Sequence, residues 1–171
     1  MTYAQEQDSL DAWRFVVLSD PRMQEQLQRS RDQLKHKTSK RSALDSDAPL
    51  PKTLEDALRP TKRAIVITEA ERPYRVFDVN SAWEDLCGYS YVESKGKTLG
   101  SLLRGPETDP LASTSLITRL IQGEEAGATL INYTKSGRRF ENRVRVGPLQ
   151  DETSKKVTHF VGVLQEVKPD F

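Results

Sequence analysis

The chain has 171 residues, a net charge of +1 and 30% charged residues, so nothing in its overall charge favours binding to nucleic acid or to a membrane surface. It has no apolar run long enough to cross a bilayer, and its start lacks the order of a secretory signal. The one cysteine, Cys87, excludes an internal disulfide. We therefore expect an intracellular protein, cytoplasmic or nuclear, with one domain and an extension.

The first part of the chain, residues 1–38, is expected to form an N-terminal helical extension. Asp20 can cap a helix that has Pro21 at its first position. The apolar residues that follow at helical spacing are Met23, Leu27 and Leu34. Such a stripe packs either on its own domain or on a second copy of the chain. The basic residues after it are flanked by acidic ones, so we interpret them as a solvated helix end without direct nucleic-acid contact.

Residues 39–60 have the composition of a linker followed by a short helix, which Thr53 caps and Pro60 ends. The compact domain is expected over residues 61–168. The domain is predicted to start with strands 64–68 and 74–79, followed by a helix that is capped at Asn80 or Ser81 and ended by Gly88. A helical turn within 96–103 and a helix from Thr108 or Asp109 to Gly123 come next. The domain ends with a hairpin over 130–146 and a last strand over 158–167. This order predicts an α+β domain with a five-stranded antiparallel sheet and the helices on one face.

The hairpin carries the clearest local signal. Its turn spans residues 135–138, where Gly137 can take a positive φ. Asn132 and Asn142 lie ten positions apart within it. Because an amide both donates and accepts hydrogen bonds, this pair could bind the edge of a flat heterocycle. The alternative is that the two amides satisfy each other, the backbone or water within a filled core.

Several short motifs occur together between Arg63 and Val167. They are Asp78-Val79-Asn80, Cys87-Gly88-Tyr89, Gly105-Pro106-Glu107-Thr108-Asp109, Asn132-Tyr133, Lys135-Ser136-Gly137 and Phe160-Val161-Gly162-Val163. Together they resemble a PAS domain, and more narrowly its LOV (light-oxygen-voltage) branch of flavin-holding blue-light receptors. The stretch around Gly105 is also similar to the PAS domains of algal and diatom leucine-zipper–PAS proteins, which suggests a role in transcription regulation. This chain carries no zipper.

The resemblance implies a flavin site, and the sequence departs from that site at several positions. The family's reactive cysteine, which attacks the excited flavin, matches Gly100, or Leu99 if the extra residue in this stretch is placed differently. Cys87 belongs to an earlier helix, where we expect a small buried apolar group. The other departures are Ser101 and Ile117 in place of two phosphate-binding arginines, Arg104 in place of a glutamine, and Leu164 in place of the glutamine that contacts the flavin ring. Gln165 comes one residue later, so we expect it to point away from the pocket.

Thr68, Asn132 and Asn142 remain as candidate cofactor-binding residues. Without its two arginines, a bound phosphate would lose charge-assisted hydrogen bonds of about 1.5–3 kcal/mol each. We therefore expect no cofactor, with FMN or another flavin as the alternative. If the pocket is lined by the apolar side chains expected there, it is filled by them; these are Trp83, Leu99, Leu102, Leu103, Leu116 and Leu164.

The sequence leaves three candidate functions to compare. The first is a non-enzymatic signalling module for protein association or small-ligand sensing, working as a homodimer or with another PAS or signalling protein through the N-terminal helix or the sheet face. The second is a cysteine-less flavin photoreceptor that works by photoreduction, with Trp83, Tyr89 or Tyr133 as electron donors. The third is an enzyme, which the sequence disfavours because it has no catalytic triad, no metal-ligand cluster and no phosphate loop.

Overall fold

The computed structural model describes residues 48–169, and the predicted N-terminal helix lies outside them. The described part of the chain starts with a short helix, α1 (Leu54–Ala57), followed by strands β1 (Ala64–Glu69) and β2 (Val76–Val79). Four helices follow: α2 (Ser81–Cys87), α3 (Tyr91–Ser94), α4 (Leu99–Leu103) and α5 (Pro110–Ile121). Three strands complete the domain: β3 (Ala126–Tyr133), β4 (Arg139–Gln150) and β5 (Val157–Glu166).

The five strands form one antiparallel sheet in the order β2-β1-β5-β4-β3, which confirms the predicted α+β fold. Strands β1 and β5 lie in the interior of the sheet, and their runs of buried residues agree with that position. The central pairing places Val66 opposite Gly162. A Cβ atom at Gly162 would lie only 3.1 Å from the Val66 side chain, so this strand crossing requires a small residue.

The predicted helix caps are present. Thr53, Asn80 and Asp109 accept backbone N–H groups at the starts of α1, α2 and α5. Gly88 ends α2 in the left-handed conformation, at φ +82°. Gly137 has φ +86° in the hairpin turn, as its position predicted.

Two boundaries differ from the prediction for local reasons. The second strand begins at Val76 rather than Tyr74, because Tyr74 has φ +66° and leaves the extended conformation. The helical turn expected within 96–103 begins at Leu99, because Gly96 has φ +80° and Thr98 caps the helix from outside. A capping box on Ser90 and Glu93 forms α3, which the sequence reading did not place.

Each face of the sheet has its own apolar core. Helices α2, α4 and α5 cover the inner cluster, whose buried residues are Ala64, Val66, Val76, Val79, Trp83, Cys87, Leu102, Leu103, Leu116, Ala126, Leu130, Phe140, Val144 and Leu164. The outer cluster consists of Leu50, Ala57, Ile65, Ile67, Leu149, Val161 and Val163. Helix α1, which the prediction assigned to the segment 39–60 before the compact domain, therefore packs on the second face of the sheet.

The segment that leads into α1 is held to the sheet. Leu50 is buried, and the backbone N–H of Gln150 donates to the Lys52 carbonyl at 2.8 Å. The guanidinium groups of Arg63 and Arg145 both donate to the Ala48 carbonyl. The predicted domain boundaries stay a prediction, but this part of the expected linker is packed against the domain.

Candidate functional site

The candidate site lies in the inner cluster, between the sheet and helices α2, α4 and α5. The apolar residues predicted to line a pocket do come together there. Trp83, Leu102, Leu103, Leu116 and Leu164 are buried members of the cluster, and Leu99 packs against it. The site is therefore dominated by aliphatic side chains.

The two asparagines of the hairpin meet within this apolar setting. Asn142 is fully buried on β4, and its Nδ2 donates to Asn132 Oδ1 on β3 at 2.9 Å. Asn132 Nδ2 in turn donates to the backbone carbonyl of Leu103 at the end of α4, at 3.1 Å. The pair therefore connects the hairpin to α4, as the alternative of mutual satisfaction anticipated. One acceptor, Asn142 Oδ1, is left over.

Among residues 48–169, two buried side-chain polar atoms have no hydrogen-bond partner, and both belong to residues at the inner cluster. They are the acceptor Asn142 Oδ1 and the donor Trp83 Nε1. The sequence reading did not find Trp83 as a polar residue of the site. The available signal was a tryptophan on the inward face of an amphipathic helix, because a buried indole N–H usually has a partner.

Gly100 is where the resemblance places the reactive thiol. It lies on α4, and the Arg104 guanidinium lies over it. A Cβ atom at Gly100 would have Arg104 Nη2 as its nearest neighbour, at 3.6 Å, which is an ordinary contact. A Cβ atom therefore has room at this position.

Cys87 offers no substitute for that thiol. It lies on α2, is fully buried in the inner cluster, and burial raises the pKa of its thiol to about 12. Because the thiolate is the nucleophile, such a group is unreactive near neutral pH. The expectation of a small buried apolar side chain agrees with this position.

The two positions that would hold phosphate carry no cation. Ser101 is exposed, and its hydroxyl donates to the Thr98 carbonyl at 2.8 Å. Ile117 is half-buried on α5. Arg119, two residues further along the same helix, is paired with Glu124 at 3.1 Å. Arg104 is exposed, and its guanidinium lies near Gly100 on α4.

The remaining predicted site residues lie on β5 and β1. Leu164 is buried in the inner cluster while Gln165 is exposed, which agrees with the expected one-residue offset in β5. Thr68 is buried on β1, and β5 separates that strand from β4. The sheet order therefore does not place Thr68 beside Asn142.

The Gly-Pro-Glu-Thr-Asp motif forms a loop, residues 105–109, that is fixed to the hairpin. Thr108 Oγ1 donates to the Ile131 carbonyl at 2.6 Å and accepts from the Gly105 N–H at 3.0 Å. The Tyr133 ring lies directly on Gly105, and its hydroxyl accepts from the Glu107 N–H at 3.2 Å. These motif residues hold the structure of the loop, and they do not enter the inner cluster.

A surface cleft of about 470 Å³ lies between the end of α2 and the hairpin turn. Its lining residues are Asp85, Leu86, Gly88, Thr134, Lys135, Ser136 and Arg138. Its two cations are already paired, Lys135 with Glu93 and Arg138 with Glu166. The cleft therefore offers little uncompensated positive charge to a ligand.

The titratable side chains of the described residues are mostly paired or packed one by one. No group of three or more His, Cys, Asp and Glu side chains within residues 48–169 could hold a metal ion. Glu124 pairs with Arg119 and Glu125 with Lys52, so the two neighbours do not act together. His159 packs against Phe77 with ring centroids 4.5 Å apart, and burial lowers the pKa of His159.

In this same part of the chain, no helix is long and apolar enough to span a membrane.

The residues present fit only part of a flavin. The unpaired Asn142 Oδ1 suits a ring N–H of a flat heterocycle. The side chains at Ser101 and Ile117 do not suit a phosphate, and Gly100 supplies no thiol. The site thus lacks the thiol of an adduct-forming flavin site and the two arginines that would meet a phosphate.

Comparison with known proteins agrees with the family that the sequence motifs resemble. The sequence profile of the PAS domain family matches residues 63–168. The bacterioopsin transcriptional activator of Halobacterium salinarum is 31% identical over 128 residues, covering 75% of this chain and 17% of that protein. A blue-light-activated histidine kinase of Rhizobium johnstonii is 29% identical over 107 residues, covering 62% of this chain and 30% of that protein. This chain therefore matches less than a third of the length of either relative.

A solved structure extends the comparison to three dimensions. The LOV domain from the Erythrobacter litoralis EL346 blue-light activated histidine kinase has a TM-score of 0.58 and 29% identity. The alignment covers 64% of this chain and 100% of that domain.

Proposed function

The chain belongs to the PAS domain family, with LOV domains among its relatives, and from this premise we propose that it is a non-enzymatic signalling module that lacks adduct photochemistry. The observation that carries the proposal is the residue at the reactive position. Gly100 on α4 has no side chain, although a Cβ atom would have room there. Cys87 is a buried thiol with a raised pKa on another helix. The fold of a LOV domain is thus combined with a site that has no nucleophile.

Protein association or small-ligand sensing is the role that this arrangement supports. The named relatives are a transcriptional activator and a sensor kinase, so transcription regulation in the cytoplasm or nucleus is the output that we propose. The partner is a second copy of the chain or another PAS or signalling protein, bound through the N-terminal helix or the sheet face. Leu50 and α1 already cover the outer cluster, which favours the N-terminal helix as the contact.

A size measurement tests the association. Residues 1–47 can be removed without cutting into the segment that carries Leu50, which packs on the sheet. We expect the full chain to run as a dimer in sedimentation velocity and the shortened chain as a monomer. A monomer in both cases would contradict the association that we propose.

An absorption spectrum tests the site. We expect the purified chain to show no flavin bands, and FMN added in excess to be lost on gel filtration. Flavin retained at one molecule per chain, with reversible loss of its blue absorbance on illumination, would contradict the proposal.

A cysteine-less flavin photoreceptor is the second candidate, and the unpaired Asn142 Oδ1 is the observation that favours it. In this alternative FMN or riboflavin occupies the inner cluster beside Asn132 and Asn142, and a nearby aromatic side chain reduces it in the light. Tyr89 would be such a donor, and its hydroxyl is already bonded to the Leu102 carbonyl at 3.0 Å. A chain that stays colourless after reconstitution with both flavins removes this candidate.

A further inference from the structure

The two edge strands of the sheet, β2 and β3, are covered to different extents. On β2, the N–H of Val76 donates to the Lys97 carbonyl at 2.8 Å, so the segment before α4 covers that edge. On β3, the loop before α5 covers the end of the strand, where Thr108 Oγ1 donates to the Ile131 carbonyl at 2.6 Å. We call the part of β3 before this contact, residues 126–130, the open edge.

The direction of the backbone groups of β3 follows from two hydrogen bonds. An antiparallel strand turns alternate residues toward its neighbour and away from it. The Ile131 carbonyl faces the loop before α5, so Ile131, Thr129 and Gly127 point their N–H and C=O groups away from β4. The hairpin turn gives the same phase, because the Thr134 N–H donates to the Arg138 carbonyl at 2.9 Å and even-numbered residues thus face β4. Within the described part of the chain, no backbone hydrogen bond reaches the outward groups of Gly127 and Thr129.

We propose that the open edge is a docking site for an extended, uncharged segment of a partner protein, which pairs with β3 as a sixth strand of the sheet. Gly127 and Thr129 each offer one N–H and one C=O group, at the spacing that an extended backbone matches. Thr129 is exposed and Gly127 is half-buried, so both are accessible from outside. This inference rests on the proposed function, because it adds a contact through which the signalling module would hold its partner.

Strand β3 lacks the features by which sheet edges usually avoid pairing. Such features are a charged side chain, a proline or a bulge on the edge strand. The eight residues of β3 include no charged residue and no proline, and their register with β4 runs from Ala126 to Tyr133 without a shift. Strand β2, in contrast, has four residues and a shifted register. Of the two edge strands, β3 is therefore the regular one that can accept another strand.

The side chains of β3 indicate the chemistry of the partner segment. Ala128 packs against the inner cluster, so an apolar side chain of the incoming strand on that side would lie at the border of the cluster. On the other side of the sheet, Gly127 has no side chain and Thr129 is polar and exposed. A charged side chain would find no opposite charge on β3. The matching segment therefore alternates apolar and small polar residues.

The size of the open edge argues against a second copy of the chain as the occupant. Its five residues span about 17 Å, and a strip of that length and about 10 Å wide buries about 340 Å² over both partners. Stable associations of two folded proteins bury about 1,200–2,000 Å². Pairing at the open edge alone is therefore too small to hold two copies together. A partner that also binds elsewhere on the module can add an extended segment here.

Amide resonances of the ¹⁵N-labelled full chain test the open edge. The probe is an acetylated and amidated peptide of alternating threonine and valine. The control peptide has the same length and three prolines at its centre, because proline has no N–H to donate. We expect the Gly127 and Thr129 resonances to move saturably with the threonine–valine peptide, with a dissociation constant on the order of 1 mM from a few backbone hydrogen bonds. The control peptide should leave both resonances in place.

A pair of matched variants tests the outward N–H of Thr129. Thr129→Pro removes this N–H and leaves in place the bonds to β4, which the even-numbered residues form. Thr129→Val keeps the N–H with a side chain of similar shape. We expect the threonine–valine peptide to bind Thr129→Pro about tenfold more weakly, the effect of one hydrogen bond. Thr129→Val should bind the peptide as the unmodified chain does.

Three results overturn the inference. The first is that the Gly127 and Thr129 resonances stay unmoved by the threonine–valine peptide or move equally with the control peptide. The second is an equal affinity of Thr129→Pro and Thr129→Val for the peptide. The third is a full-chain dimer that Thr129→Pro converts to a monomer, because a second copy would then occupy the open edge.

The resonance measurement needs no variant, so it decides the matter even if Thr129→Pro does not fold. The proposed function fails by a different result, which is light-driven adduct formation.

Discussion

The loop of residues 105–109 and helix α4 are adjacent in the chain and differ in what they keep. In the loop, motif residues are used for structure: Thr108 bonds both the loop and β3, and Tyr133 packs on Gly105. In α4, Gly100 packs against nothing closer than the end of a flexible arginine. The difference teaches that the residues which identify the family stabilise its fold, whereas the residues at its photochemical positions can change without disturbing that fold.

Replacing Gly105 or Gly100 with alanine should give the largest difference between the loop and the helix. Alanine at position 105 would overlap the Tyr133 ring, so we expect Gly105→Ala to lower the free energy of unfolding by about 3 kcal/mol. Gly100→Ala has room and lies within a helix, so we expect a gain of roughly 0.5–1 kcal/mol. Urea unfolding measures both. Equal losses for the two variants would remove the distinction between loop and helix.

The asparagine pair connects α4 to the hairpin, and its members are not equivalent. Asn132→Ala leaves both Asn142 Nδ2 and the Leu103 carbonyl without a partner, whereas Asn142→Ala leaves only Asn132 Oδ1 and also removes the unpaired carbonyl. We expect Asn132→Ala to cost about 1–3 kcal/mol more. The same urea titration compares them, with the similar cavity volumes serving as the internal control. A larger loss for Asn142→Ala would argue against these pairings.

The buried thiol predicts a dependence on alkaline pH. The folded pKa of Cys87, about 12, lies above the ordinary value of 9.0. The unfolded chain therefore releases the proton first, and the stability present below pH 9 is lost as the pH rises toward 12. Relative to Cys87→Ala, we expect the unmodified chain to lose about 1.4 kcal/mol per pH unit in this window. Parallel stability curves for the two chains would contradict a buried, protonated thiol.

The smallest effect is expected at the surface of the hairpin. Arg138 pairs with Glu166 at 2.6 Å, with half of the arginine side chain exposed. Such a pair contributes about 0–1 kcal/mol, so Arg138→Gln should shift the urea midpoint little and less in high salt. Glu166→Gln, which breaks the same pair, is the matched variant. A loss above 2 kcal/mol for either variant would show that the hairpin depends on this pair for its frame.

Much of the fold was readable from the sequence because local signals agreed with one another. Caps such as Asn80 and Asp109, the turn at Gly137 and the alternation in the strands each specify structure within a few residues. The covering of the outer cluster by Leu50 and α1 was missed, because linker-like composition says nothing about a distant sheet face.

The candidate site could be predicted less well than the fold, because it depends on contacts between residues that are far apart in the sequence. The offset of Leu164 and Gln165 follows from strand alternation and was predicted. The unpaired groups of Trp83 and Asn142 depend on which atoms meet across α2, β3 and β4. Hydrogen-bond satisfaction is a three-dimensional property, so no spacing in the sequence reports it.

Illumination of the chain after reconstitution with FMN tests the central claim most directly, with absorbance recorded in the light and during dark recovery. Gly100→Cys is the matched variant, because it restores a thiol at a position where a Cβ atom has room. For the unmodified chain the account predicts no reversible loss of the flavin band. Reversible bleaching of the unmodified chain that recovers in the dark, and that disappears in Cys87→Ala, would contradict it.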